Sequence, residues 1–297
     1  MNRRDFILAS LAGSFMPFLS SAAYKRKWKL CYTTLGTPNW GWQEIIDKAV
    51  LYNYKGVEVR GVQDQINILD SPYFKGTAWK ESKRIADDAG IEVVNLNTSA
   101  HLHEHDKVKR QKNIDEVKGY IDLAEKMDSS FVRVFPDKFP EGYTKEATVN
   151  LMKQTLQELG EYAKGSGVKV LLDAHGALVR SADIDEVLKV QNPKVTGLIW
   201  DFFNMHYQTG ESPSEMMKVL KNYVSFVQLK DGYLSNKEKH DYTLMGDGEV
   251  PYKEILMLLD TMNYKGFVSF EWEKRWHPEL ADPDVALPAF SKLILNS

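Results

Sequence analysis

A single cysteine in 297 residues excludes any internal disulfide. Cys31 lies in the apolar run KLCYTTLG, with no activating neighbour in sequence, so it reads as a small buried hydrophobe rather than a nucleophile. Basic charge is also short. The 38 Lys and Arg are outnumbered by 41 Asp and Glu, for a net charge of −3, and they are scattered among the acids. That excludes the electrostatic footprint of a nucleic-acid partner. No glycine-rich phosphate cradle is present, and Gly246-Asp247-Gly248-Glu249 places acids where an anion would be repelled. Membrane-spanning runs are missing too: the amino-terminal apolar stretch 6–19 is short and is interrupted by Gly13 and Pro17.

That stretch has another use. Arg3 and Arg4 precede it and Ser21-Ala22-Ala23 follow it, the pattern of a cleavable export signal over 1–23. Asn2-Arg3-Arg4-Asp5-Phe6-Ile7 resembles the twin-arginine motif. The expectation is a periplasmic protein, with no stable membrane anchor after cleavage, whose folded domain spans 24–297.

Across that domain, short runs rich in β-branched residues alternate with longer segments of helical period. The runs predict strands over 30–35, 56–60, 91–98, 131–135, 168–174, 197–202, 224–230 and 267–271. Between them, spacings such as Leu151, Leu156, Leu159 and Ala163 give helices one apolar face. Strict alternation implies parallel strands with right-handed crossovers, and eight repeats favour closure. The fold class is therefore α/β, a single (β/α)8 TIM barrel.

Four of the predicted strands end in potential metal ligands: Asp173 in VLLDAH, Asp201 in LIWDFFN, Gln228 in FVQLKDG and Glu271 in VSFEWE. Barrel enzymes do chemistry at that rim, and three carboxylates with one amide oxygen suit one hard divalent cation, Mn²⁺ or Mg²⁺. His175 stands two residues beyond Asp173, on the same side of an extended chain, where an imidazole would serve as general base. Other rim candidates are Glu58, Arg60, His101, Arg133, Trp272 and Arg275 for substrate, with Lys230 and His277 beside His175 and Glu271 for catalysis. Trp40, Trp42 and Trp276 join Trp272 as candidate stacking faces for a sugar. The alternate histidines of SAHLHEHD read as a solvated loop, with only His101 facing substrate.

Taken together, GVEVRG around Glu58, VLLDAHG, LIWDFFNMH, FVQLKDG, LMGDGEVPYKEI and the final FEWE resemble the sugar phosphate isomerase/epimerase group of xylose-isomerase-like barrels. The resemblance implies one divalent metal on Asp173, Asp201, Gln228 and Glu271. It departs from the group's pattern at Asp173, usually Glu, and at Gln228, usually His. It implies abstraction of a proton α to a carbonyl, and the Asp173-Ala174-His175 segment fits the group's keto-glycoside lyases, which eliminate across the C1–C2 bond of 3-keto-glycosides. The alternatives are an isomerase or epimerase of free ketoses and, more remotely, an endonuclease-like phosphodiesterase. The expected partner is a small carbohydrate, and nothing in the composition excludes self-association.

Overall fold

The computed structural model describes residues 28–234 and 240–297. The export signal expected over 1–23 lies outside the described residues. Eight parallel strands form one closed barrel: β1 (Lys29–Thr33), β2 (Gly56–Val59), β3 (Glu92–His101), β4 (Phe131–Phe135), β5 (Lys169–Asp173), β6 (Thr196–Asp201), β7 (Val224–Leu229) and β10 (Phe267–Phe270). Strand β1 pairs with both β2 and β10, which closes the ring. All eight correspond to strands expected from the sequence.

The barrel has two apolar regions because successive side chains on a strand point to opposite faces. Leu30, Tyr32, Val132, Leu172, Leu198, Trp200, Val227 and Val268 point outward into the layer shared with the helices. Cys31, Val94, Leu171, Ile199, Phe226 and Phe267 form a separate cluster, packed inward as the barrel floor. Burying one such side chain contributes about 1.5–3 kcal/mol. Two residues above the floor the chain turns polar: Leu171 is followed by Asp173 and His175, Ile199 by Asp201, Phe226 by Gln228 and Lys230, and Phe267 by Ser269 and Glu271. The candidate site is thus the upper storey of the barrel interior.

Three details were not legible as patterns. A helix over Phe202–Thr209 follows β6 with no loop, because Asp201 caps it by accepting from the Asn204 amide at 3.1 Å. A hairpin, β8 (Asp231–Tyr233) with β9 (Asp241–Thr243), sits between β7 and β10, and three-residue strands show no period. Strand β3 runs three residues past its expected end and takes in His101.

Candidate active site at the carboxyl rim of the barrel

Asp201 and Gln228 are direct partners in the β6–β7 register, and Gln228 is level with Ser269 of β10. Asp173 ends β5 and Glu271 follows β10, its amide donating to the Leu229 carbonyl at 2.9 Å. The four expected ligands therefore share one rim. Three are already engaged by cations. Lys230 Nζ donates to Asp201 Oδ2 at 2.7 Å, to Glu271 Oε2, and to Glu273 Oε1 at 3.2 Å. Arg133 Nη1 donates to Asp173 Oδ2 at 3.0 Å, with both side chains 3% exposed.

Charge at this site does not balance. Five carboxylates, Glu58, Asp173, Asp201, Glu271 and Glu273, face two cations, Lys230 and Arg133. Burial raises Asp201 to about 7 despite Lys230, and it raises Glu58 to about 7 with help from the charge of Glu271. Burial also acts on Glu271, but the ammonium beside it prevails and holds that carboxyl low. Lys230 is driven up: burial opposes its charge, and Asp201, Glu271 and Glu273 outweigh burial. Its ammonium braces Asp201, Glu271 and Glu273, the place the structure gives to a residue expected among the catalytic groups.

Four buried oxygens in this layer have no donor: Asp173 Oδ1 and Gln228 Oε1 among the expected ligands, and Oδ1 of Asn95 and of Asn97 beside Glu58. The orientation of Gln228 explains its own case. Its amide Nε2 donates to Glu58 Oε1 at 2.8 Å and to Glu271 Oε1 at 3.2 Å, which leaves Oε1 for something else. Glu58, expected against substrate, has this positioning place instead. It is fully buried, and Asn95, Asn97 and Ser269 donate to it as well. Orphaned oxygens amid excess negative charge are what a hard cation satisfies, so this donor set fits one.

On the β4–β5 side His175 Nδ1 lies 3.0 Å from Asp137 Oδ1. With Nδ1 engaged, Nε2 is left for substrate, and the ring is 41% exposed. Burial lowers the imidazole, but the Asp137 hydrogen bond and the charge of Asp173 outweigh it, so the net shift is upward. Asp137 was not legible in sequence as a site residue. It has a positive φ of 69°, and its carbonyl accepts from the Ala177 amide at 2.5 Å. Gly176, at φ 62°, lies so close that a Cβ there would overlap the Asp137 carbonyl. His101 Nδ1 is 3.3 Å from Asp137 Oδ2. His103, expected in a solvated loop, is buried with Nδ1 at 3.0 Å from the Pro136 carbonyl. The loop reading failed because the partners come from the β4 end, far away in sequence.

The remaining candidates divide. Arg133, expected on substrate, is occupied by Asp173 and by the Thr98 carbonyl at 3.0 Å. Trp272 is core: its ring stacks on Phe270 and its Nε1 donates to the Ala281 carbonyl. Trp40 and Trp42 are buried too, leaving Trp276 as the exposed one of the four. Arg60 donates from Nη2 to Ser99 Oγ, while its buried Nη1 has no partner. Arg275 donates to the Gln63 carbonyl at 2.6 Å. His277 stands at the rim, edge-on to Tyr242. Beyond the tryptophans, Tyr242, His240 and Tyr207 form an aromatic cluster whose rings meet at centroid distances of 5.4 and 4.6 Å, with both tyrosines buried. Burial keeps His240 neutral, lowered to about 4. The Gly246–Gly248 turn also departs from expectation. Its amides do cradle an anion, the Asp231 carboxylate, which Gly246 N reaches at 2.8 Å and Gly248 N at 3.1 Å.

A closed parallel barrel with an acidic, oxygen-rich carboxyl rim defines the class. Residues 46–289 match the model of the xylose isomerase-like TIM barrel family, and the chain belongs to that family. It is similar to the inosose dehydratase of Clostridium perfringens, 28% identical over 148 residues that cover 44% of this chain and 49% of the relative, so that match spans about half the relative's length. The inosose dehydratase of Klebsiella pneumoniae is 26% identical over 84% of this chain and 87% of its own. Among solved structures, the IOLI protein with a bound zinc atom superposes with a TM-score of 0.76 over 90% of this chain and 97% of its own, at 18% identity, a likeness of fold.

Proposed function

We propose that this protein is a metal-assisted lyase acting on neutral keto-sugars or ring ketones. It removes the proton α to the carbonyl and expels a β-oxygen substituent, either water or the aglycone of a 3-keto-glycoside. The observation that carries this reading is the His175–Asp137 pair beside Asp173, which offers one free base while the neighbouring carboxylates are committed to cations. A two-sided epimerase needs a second base across the substrate, and Asp173 is held by Arg133. The inosose dehydratases are by name enzymes that take water from a ring ketone, which supports the elimination class. The export signal read in 1–23 supports a neutral substrate over a sugar phosphate.

Asp173, Asp201, Gln228 and Glu271 would hold one divalent cation, Mn²⁺ or Mg²⁺. Bound there, it supplies Lewis-acid polarisation of the carbonyl and a vicinal hydroxyl. The chain's own residues do the rest. Lys230 holds Asp201 and Glu271 in place, and Glu58 fixes the Gln228 amide. His175 Nε2 takes the α-proton, and Asp137 stabilises the imidazolium that results. The C–H electron pair becomes the new C=C bond as the β C–O bond breaks. His277, three strands round the barrel from β5, protonates the departing oxygen. The test is exhaustive chelation with a 3-keto-glycoside or inosose as substrate. Turnover disappears and returns with Mn²⁺ or Mg²⁺, whereas undiminished turnover after chelation contradicts the reading.

A further inference from the structure

His101, His103 and Asp137 are, among the described residues, the one group of three or more His, Cys, Asp or Glu side chains whose ligand atoms all lie within 4.8 Å of one another. They come from the end of β3, the turn after it and the turn after β4, on the other side of Asp173 from Gln228 and Glu271. We propose that they form a second metal site, specific for a borderline transition ion of the Zn²⁺ class. Two imidazoles and one carboxylate are a nitrogen-rich set, unlike the all-oxygen quartet, and softer donors select a different ion.

The arrangement is built rather than incidental. The Nδ1 of His103 faces the Pro136 carbonyl at 3.0 Å, the kind of outer contact that fixes a ligating imidazole and leaves Nε2 as the nitrogen for a metal. Asp137 is clamped in its left-handed conformation by the Ala177 amide, and only a glycine fits at 176 beside it. Its two oxygens are divided, Oδ1 to His175 and Oδ2 towards His101. The buried Nδ1 of His101 makes no hydrogen bond despite that proximity. His101 packs face to face on Phe135, with ring centroids 5.6 Å apart, and is 39% exposed, so the site is reachable from the rim. The nearest guanidinium, Arg133, is spent on Asp173.

Three protein ligands leave one position of a tetrahedral ion open, as in zinc sites that bind water or a substrate oxygen. The site does not depend on the metal quartet or on the elimination chemistry. The experiment compares the full chain with His101→Ala, His103→Ala and Glu271→Gln. Each protein is stripped with chelator, dialysed against Zn²⁺ and measured for bound zinc, and Co²⁺ loading is followed by its visible d–d absorption. Each histidine variant is expected to lose about one equivalent of zinc and the tetrahedral Co²⁺ bands, both of which Glu271→Gln retains. Equal zinc in the wild type and both histidine variants, or no zinc bound by the wild type, overturns the proposal. Thermal melts confirm folding, and His101→Ala, at a half-exposed ring, remains informative should His103→Ala unfold. Failure of the quartet reads out separately, as unchanged Mn²⁺ binding in Glu271→Gln.

Discussion

The His175→Gln variant is expected to turn over the proposed keto-substrate about 10²–10⁴-fold more slowly than the wild type, the range for loss of a positioned general base. Gln keeps a polar side chain of similar reach but offers no nitrogen that accepts a proton at neutral pH. In the proposed elimination the loss falls on kcat, because His175 would meet the substrate through a proton that moves only in the transition state. Its hydrogen bond to Asp137 and its position two residues beyond Asp173 place it over the same rim as the carboxylates. Steady-state kinetics on the metal-loaded protein check this. A decrease below about tenfold in kcat shows that the proton leaves to another group.

Replacing Lys230 by Met costs the metal-free fold about 3–5 kcal/mol, the penalty for removing one partner from a buried ion cluster. Lys230 is 2% exposed and is the ammonium shared by Asp201, Glu271 and Glu273. Met fills comparable volume, so the loss is charge rather than packing, and three carboxylates are left to repel one another. Urea unfolding in chelator measures it. Adding Mn²⁺ restores part of the stability, because a bound dication supplies the missing positive charge. A loss of less than about 1 kcal/mol shows that the cluster is hydrated and screened rather than buried.

The barrel was legible because parallel strands buried on both faces read as continuous apolar runs separated by helices of regular period. The shared rim of Asp173, Asp201, Gln228 and Glu271 was legible for the same reason, since a strand's last residue is located by the strand itself. What the strands carry at two-residue intervals was legible only at Asp173 and His175, although the same parity places Lys230 above Gln228 and Glu271 above Ser269. Interactions across the barrel were not legible. Nothing local announces that Arg133 is spent on Asp173, or that Glu58 of β2 sits under Gln228 of β7. Asp137 was missed because its importance comes from a left-handed turn and from Gly176 on the next strand's loop. Trp272 shows the reverse: a large aromatic at a strand end looks like a stacking face until its ring is seen against Phe270.

Product analysis separates elimination by a single base from isomerisation. A 3-keto-glycoside and inosose are each incubated with the Mn²⁺-loaded enzyme in D₂O and followed by proton NMR. Elimination gives an unsaturated ketone with release of aglycone or water, expected from the wild type and, far more slowly, from His175→Gln. A product that keeps every oxygen substituent and gains deuterium at the α-carbon would contradict it and identify an isomerase or epimerase.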